Sequence, residues 1–357
     1  MRNRTFQKNI SILMVVVGCS YGTITNSQTN VEALKQKEIN LYATRHFPTD
    51  ETLYSEFTKK TGIKINRIEA TESELSERLK GNDLRSPADV IMLVDASRLW
   101  KIEHEGFFKR IHSQYLEERI PENLRSKKDT YGSTWFGVTT RARMIVYNKS
   151  KVKPTDVDTY EKLADPINKG MVCTRSGTHP YMLSLMGSRI ELQGERATED
   201  WAKGIVRNMA RSPSGGDTDQ IKAVANGECG VTLTNSYYLA RLMKSSKPED
   251  QKVISNIGYI WPNQTTTGTH INIIGAGVAK NAPHLKESIE FMEYLASDEA
   301  QKYFANRNHE WAVVKTVEVE NDVLKKLGNF IVENIPMDAF AKHQKTSQEI
   351  LEKVGYH

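Results

Sequence analysis

The chain has 357 residues, 26% charged and 38% hydrophobic, which is ordinary for globular proteins and long enough for two domains. Its net charge is +5, but three of its 49 basic residues fall within the first eight positions, so the remainder nearly balances the 44 acidic residues. Because no basic stripe with interleaved aromatic residues is present either, nucleic acid is excluded as a partner.

The first segment is typical of a secretory signal. The positively charged "MRNRTFQKN" precedes the apolar run "ISILMVVVGCS", which is too short to cross a bilayer. We therefore predict a signal peptide over residues 1–27 and a mature protein in the periplasm. Two alternatives stay open. "VVGC" is similar to a lipoprotein cleavage box, which would leave Cys19 as a lipidated anchor to the membrane, whereas later cleavage would remove Cys19.

Strand and helix patterns then alternate, beginning with three β-α pairs. This order predicts a parallel, doubly wound sheet. The strands of this unit are predicted at 38–44, 63–70 and 88–94, and its helices at 49–62, 72–81 and 96–106.

A long alternating run over 133–148 leaves this unit, and a second set of β-α elements continues to about residue 262. The return strand is predicted at 269–280, and helices follow at 284–297, 298–307, 323–334 and 337–354. We therefore predict an α/β protein of two lobes joined by extended crossings. The predicted N-lobe combines 38–138 with 266–315, and the C-lobe combines 139–265 with 316–357.

Two cysteines, Cys173 and Cys229, remain after the leader. Both lie in apolar stretches that are predicted strands. In an oxidising compartment an even pair favours a disulfide, whereas two buried free thiols are the alternative, since cysteine is often simply a core residue. The sequence leaves both open.

Unusual residues follow three predicted strands. Ligands of open α/β sheets bind beyond the carboxyl ends of the strands, so these corners are candidate binding positions. Adjacent residues in a first helical turn differ by about 100°, so a tyrosine pair there can face one cleft. Packing is the alternative for each tyrosine. The corner residues are Arg45, His46 and Phe47 after the first strand, Tyr181 after Pro180, and Tyr237 with Tyr238 after a predicted cap at Asn235 and Ser236.

Arginines supply a second pattern. Arg141 and Arg143 share one face of an otherwise apolar strand, where a charge needs a partner or water. Either both point to solvent, or one reaches into the cleft and holds an anion. Arg241 follows the tyrosine pair by three and four residues, on the same helical face, where it either stabilises phenolate charge or lies at the surface.

Phenolates are hard, anionic oxygen ligands, and a hard trication is their natural partner. Three phenolates neutralise Fe(III), whereas Fe(II) would leave one negative charge in excess. A free phenol titrates near pH 10, so a bound trication must displace its proton. The sequence has no CxxC or HExxH pattern for zinc. These features favour Fe(III) at the corners.

The chain resembles the periplasmic ferric-iron-binding proteins of ABC importers, particularly their cyanobacterial branch. The resemblance extends across most of residues 39–310 and implies the two-lobed periplasmic solute-binding fold, with mixed, mostly parallel sheets. It is carried by "NLYATRHFPTDETLYSEFTKKTGIKI", "ADVIMLVDASRLWKIEHEGFF", "TTRARMIVYN", "CTRSGTHPYM", "GGDTDQIKAVANGECG" and "TNSYYLARL".

The resemblance also implies roles for individual residues. Tyr237, Tyr238 and Tyr181 match the family's iron ligands, while Arg141 matches its cleft arginine for a synergistic anion or charge balance. Arg241 and Arg45 would act on the anion or from outside the ligand set.

This chain departs from the pattern at Phe47, where cyanobacterial relatives commonly carry a ligating tyrosine. Water, carbonate or another small anion would then complete the coordination, or His46 would enter it. With one phenolate fewer, the site would penalise Fe(II) less than a four-tyrosine site does.

The implied function is extracytoplasmic capture of Fe(III) by a monomer that delivers it to an inner-membrane permease driven by an ATPase. No enzymatic turnover is expected, because no GxSxG or Cys–His arrangement is present. The alternatives are an oxyanion- or polyamine-binding protein of the same fold, or a transferase on a two-lobed fold.

Overall fold

The computed structural model describes residues 37–45, 47–81 and 87–357, so the predicted leader and Cys19 lie outside it. In these ranges no helix combines the length and apolar character needed to cross a bilayer. The strands are β1 Glu38–Ala43, β2 Lys64–Glu69, β3 Val90–Val94, β4 Phe136–Asn148, β5 Val172–Cys173, β6 Val231–Asn235, β7 Ile257–Ile260, β8 Ile271–Val278 and β9 Trp311–Ala312. The helices are α1 Asp50–Thr61, α2 Glu72–Lys80, α3 Ala96–His104, α4 Gln114–Arg119, α5 Pro180–Gln193, α6 Glu195–Asn208, α7 Asp217–Ala225, α8 Ser236–Lys244, α9 Pro248–Asn256, α10 Leu285–Leu295, α11 Asp298–Tyr303, α12 Asp322–Leu327, α13 Met337–Ala341 and α14 Gln344–Lys353.

The strands form a mixed sheet in the order β2-β1-β3-β8-β4-β6-β5, with β7 and β9 also paired to β4. Strands β2, β1 and β3 are parallel, as the alternating strand–helix order predicts. Strand β8 returns antiparallel between β3 and β4. In the second half of the sheet β5 is parallel to β6, whereas β4 pairs antiparallel with β6 and β7.

One strand joins the two halves of the sheet. Residues 136–142 of β4 pair with β8, and residues 143–147 pair with β6. Because the backbone continues through both pairings, β4 is the extended crossing that the alternating run over 133–148 predicts. Any rotation of one half against the other must therefore bend or twist β4 or the strands beside it.

Each half has its own apolar packing. The first core lies around β1, β3 and β8, and it includes Leu41, Phe57, Leu99 and Phe291. The second half carries one cluster that includes Leu185, Trp201 and Val231 and another that includes Val146, Val224 and Leu239. Helices therefore cover both faces of the second half, as expected for strands buried on both sides.

Glycines account for the ends of two helices. Helix α1 ends at Gly62, whose φ of 71° is the left-handed conformation that a glycine stop provides. The predicted helix over 323–334 is wrong beyond Leu327, because Gly328 (φ 76°) ends α12 and Val332 forms a β-bridge with Thr269.

The two remaining cysteines form a disulfide, so the free-thiol alternative is wrong. Cys173 ends β5, and Cys229 lies just before β6, with 5.8 Å between their Cα atoms. Both side chains are buried. The bridge closes a loop of 56 residues beside the segment that leads to Tyr181.

Candidate metal centre

The predicted tyrosine corners lie at helix starts. Tyr237 and Tyr238 are the second and third residues of α8, which begins directly after β6. Tyr181 is the second residue of α5, where Pro180 takes the first helical position and His179 caps the helix by accepting from the Tyr181 amide at 3.2 Å. The strand-to-helix corners therefore form as the sequence predicts.

All three tyrosines line one cavity of about 180 Å³. The Tyr181 and Tyr237 hydroxyl oxygens lie 2.9 Å apart, and the Tyr237 and Tyr238 ring centroids lie 4.3 Å apart. Thus side chains that are 56 residues apart in the chain meet at one point. Phe47 also lines this cavity, with its ring centroid 6.3 Å from that of Tyr237.

The electrostatic environment keeps two of these phenols protonated. Burial raises the pKa of Tyr237 well above its usual value, and the neighbouring phenols act in the same direction. Burial also raises the pKa of Tyr181, although the positive charge of Arg141 partly opposes this rise. A cation that binds here must therefore displace protons from hydroxyl groups.

Arg141 and Arg143 are both buried, so the solvent alternative is wrong for both. Arg143 donates to Asp217 at 2.6 Å, and Arg175 donates to the same carboxylate at 3.0 Å. Arg141 instead lines the tyrosine cavity, 5.3 Å from the Tyr181 ring centroid.

The charge of Arg141 has one close carboxylate, Asp95, at 3.4 Å. Its Nε and Nη1 atoms are buried and have no hydrogen-bond partner within the described part of the protein. Free donors of this kind on a buried guanidinium fit a small anion or ordered water. Arg141 is therefore the arginine whose surroundings suit the predicted anion role.

Arg45 and Arg241 lie on the Phe47 side of the cavity, and their guanidinium carbons are 4.2 and 4.8 Å from the Phe47 ring centroid. Arg45 is buried and paired with two carboxylates, Asp50 and Glu310. Its charge is therefore already compensated.

Arg241 is exposed and lies over the tyrosine pair, with its guanidinium carbon 5.0 Å from the Tyr237 ring centroid and 5.9 Å from that of Tyr238. The structure thus places this cation on the tyrosines' face of α8, where it can stabilise phenolate charge. His46, the other predicted candidate at the first corner, lies outside the described residues.

Sequence reasoning missed three residues that line the cavity or contact its lining. His179 lies against Tyr181, and burial lowers the pKa of its imidazole to about 3, so the ring is neutral. The sequence feature that could have identified His179 is its place directly before Pro180, because the residue before a proline at the first helical position caps the helix. Glu310 pairs with Arg45, 265 residues away in the chain, and Asp95 pairs with Arg141, 46 residues away. A local sequence pattern cannot predict such distant pairs.

Other metal-binding arrangements are not evident. Among residues 37–45, 47–81 and 87–357, no group of three or more His, Cys, Asp or Glu side chains is placed to hold a metal ion. The Tyr181 and Tyr237 oxygens are therefore metal-ligand candidates that the fold brings together, and Tyr238 lines the same cavity.

Comparisons with known proteins show similarity along most of the chain. A family model described as bacterial extracellular solute-binding protein matches residues 52–330. Iron uptake protein A1 of Synechocystis is 44% identical, over 90% of this chain and 88% of that protein. A Trichodesmium protein solved with iron and citrate ligands is 48% identical, with a TM-score of 0.84 over 90% of this chain and 100% of that one. The ferric binding protein of Campylobacter jejuni is 37% identical, with a TM-score of 0.83 over 89% of this chain and 100% of that one. These similarities confirm the two-lobed fold and the predicted resemblance.

Proposed function

Because the chain belongs to the bacterial extracellular solute-binding proteins, in the branch of the cyanobacterial iron uptake proteins, we propose that it captures Fe(III) in the tyrosine cavity. The ligands are the phenolates of Tyr181, Tyr237 and Tyr238. Proteins of this family bind solutes for transport and do not transform them, so the chain delivers its iron to an inner-membrane ABC permease and its ATPase without turnover.

The meeting of the Tyr181 and Tyr237 oxygens carries this proposal. Metal–oxygen bonds of about 2.0–2.1 Å at a right angle separate two ligand oxygens by about 2.9 Å. The observed separation is 2.9 Å. A ferric ion can therefore replace the hydroxyl proton that now links the two phenols with little movement of the backbone.

Charge decides which oxidation state the site prefers. Three phenolates neutralise Fe(III), and their attraction for the trication offsets the loss of their protons. Fe(II) would leave a buried negative charge, which Arg141 and the exposed Arg241 compensate only in part. Fe(III) is therefore the preferred cargo, and we propose that Fe(II) is tolerated better here than in a four-tyrosine site.

Three phenolates leave coordination positions open. Phe47 has no atom that can bind a metal, so the remaining ligands must come from another residue or from a small molecule in the cavity. The unpartnered Nε and Nη1 of Arg141 support carbonate, another small anion or water in the cavity. His46 is the alternative from the chain itself.

We further propose that the protein works as a monomer in the periplasm, with residues 1–27 as its leader and Cys19 as a lipid anchor if cleavage occurs there. The lobes are proposed as 38–138 with 266–315 and 139–265 with 316–357. The change of partner along β4, from β8 to β6, supports a first crossing near the proposed boundary.

Titration with ferric citrate tests the function. Phenolate-to-Fe(III) charge transfer should produce a visible absorption band that saturates at one iron per protein, with release of protons. Phosphate and spermidine, added without iron, should not raise the melting temperature. A colourless protein stabilised by phosphate or spermidine would instead identify an oxyanion or polyamine carrier.

Phe47→Tyr should strengthen the preference for Fe(III). The added hydroxyl would lie on the cavity wall that faces Tyr237 and would supply a fourth phenolate. We expect the reduction potential of the bound iron to fall by roughly 60 mV or more, which is a tenfold change for one electron. Phe47→Leu is the matched control, because it changes the same side chain without adding an oxygen. An unchanged or higher potential in Phe47→Tyr would contradict the proposed role of this position.

A further inference from the structure

Helix α5, which carries Tyr181, is fixed by two buried serines on the same face. Ser184 and Ser188 follow Tyr181 by three and seven residues, the spacing of one helical face. The Ser184 hydroxyl donates to Asp95 at 2.7 Å, and the Ser188 hydroxyl donates to Glu333 at 2.6 Å. Each serine thus binds a carboxylate that lies far away in the sequence.

Asp95 belongs to the first half of the protein. It directly follows β3, is fully buried, and has a φ of 102°, a conformation that residues other than glycine rarely adopt. Such strain persists only where the surroundings enforce it, and it concentrates at functional positions. Helix α5, in contrast, packs Leu185 and Met186 into the cluster of the second half. The bond between Asp95 and Ser184 therefore links the two halves.

The carboxylate of Asp95 also holds the cleft arginine. Its Oδ2 accepts from Arg141 at 3.4 Å and from Asn272 at 2.9 Å, while its Oδ1 accepts from Ser184 and from the Ser97 hydroxyl, each at 2.7 Å. A buried carboxylate requires such partners, because an unpaired charge in the interior is costly. One side chain thus contacts β4, β8, α3 and α5.

We propose that Asp95 is a positioning residue for the metal centre. Its bond to Ser184, the Asp95 latch, forms when α5 docks against the end of β3, and this docking brings Tyr181 to the cavity. The bond to Arg141 sets the guanidinium beside the same tyrosine. The latch therefore couples closure of the cleft to assembly of the ligands, and it favours the closed form before iron arrives. This inference rests on the proposed iron site.

Two serine substitutions separate the latch from general stability. Ser184→Ala and Ser97→Ala each remove a hydroxyl that donates to the same Asp95 oxygen at the same distance, but only Ser184 belongs to α5. We expect Ser184→Ala to weaken Fe(III) binding roughly tenfold, the effect of losing a hydrogen bond to a charged group. It should also increase the radius of gyration of the iron-free protein in small-angle scattering.

Ser97→Ala should keep the Fe(III) dissociation constant within threefold and leave the scattering curve unchanged. Ser184→Thr, which retains the hydroxyl, should recover much of the lost affinity. Equal losses in the two alanine variants, or no loss in Ser184→Ala, would overturn the latch. Absence of a charge-transfer band in the unsubstituted protein would instead overturn the iron site itself, so the two failures are distinguishable.

Discussion

Tyr237→Phe is expected to weaken Fe(III) binding by more than the roughly 10–100-fold that loss of a residue supporting a metal ligand costs. The reason is the central place of this side chain. Its hydroxyl contacts that of Tyr181, its ring packs against Tyr238, and it makes a T-shaped ring contact with Phe47. The substitution removes the hydroxyl of one proposed ligand with almost no change in volume. Competition against a chelator, followed at the charge-transfer band, measures the loss.

The free energy of unfolding of the iron-free protein should change little in Tyr237→Phe. Removal of the hydroxyl breaks one hydrogen bond, worth about 1 kcal/mol, and relieves the burial of a polar group. Tyr131→Phe is the control, because Tyr131 is 75% exposed and is not among the residues that line the cavity. Wild-type affinity in Tyr237→Phe, or an equal loss in Tyr131→Phe, would show that the phenolate assignment is wrong.

Loss of the Cys173–Cys229 disulfide should lower the free energy of unfolding more than any of the point substitutions proposed above. For a closed loop of 56 residues, the chain-entropy model gives about 4 kcal/mol of the free energy of unfolding. Denaturant titrations of the oxidised protein, the reduced protein and the double alanine variant measure this difference. The reduced protein keeps both sulfur atoms, so it separates loss of the cross-link from loss of buried volume.

The same bridge should affect the metal centre. Cys173 lies just before the segment that leads to Tyr181, so a loosened loop has more freedom at that corner. We expect reduction to weaken Fe(III) binding as well, by less than Tyr237→Phe does. Identical unfolding midpoints for the oxidised and reduced proteins would contradict the stabilising role of the bridge.

The corner positions were predictable because they depend on local rules. Strand-to-helix junctions place side chains beyond the carboxyl ends of the strands, and a first helical turn lets Tyr237 and Tyr238 face one cavity. The alternation along β4 likewise placed Arg141 and Arg143 on one face. These inferences need only the period of the element and its order in the chain.

The features that the sequence did not predict depend on contacts with residues far away in the chain. Arg143 is neutralised by Asp217, 74 residues away, and Arg141 is held by Asp95, so only the folded chain distinguishes the two arginines. The predicted helix over 323–334 is wrong beyond Leu327 for a similar reason. The apolar spacing that follows α12 serves a bridge to Thr269 and packing on the first core, and periodicity alone cannot tell these uses apart.

The placement of β8 has a consequence for the order of folding during synthesis. Strands β3 and β4 are joined through β8, so the first half of the sheet is incomplete until residue 278 has been made. Pairing between strands that lie 180 to 188 residues apart requires closure of a long loop, which slows folding. A growing chain therefore presents two unpaired strand edges from residue 148, where β4 ends, until β8 is complete at residue 278. We expect that delay to leave the chain unfolded for longer, which would assist the proposed export.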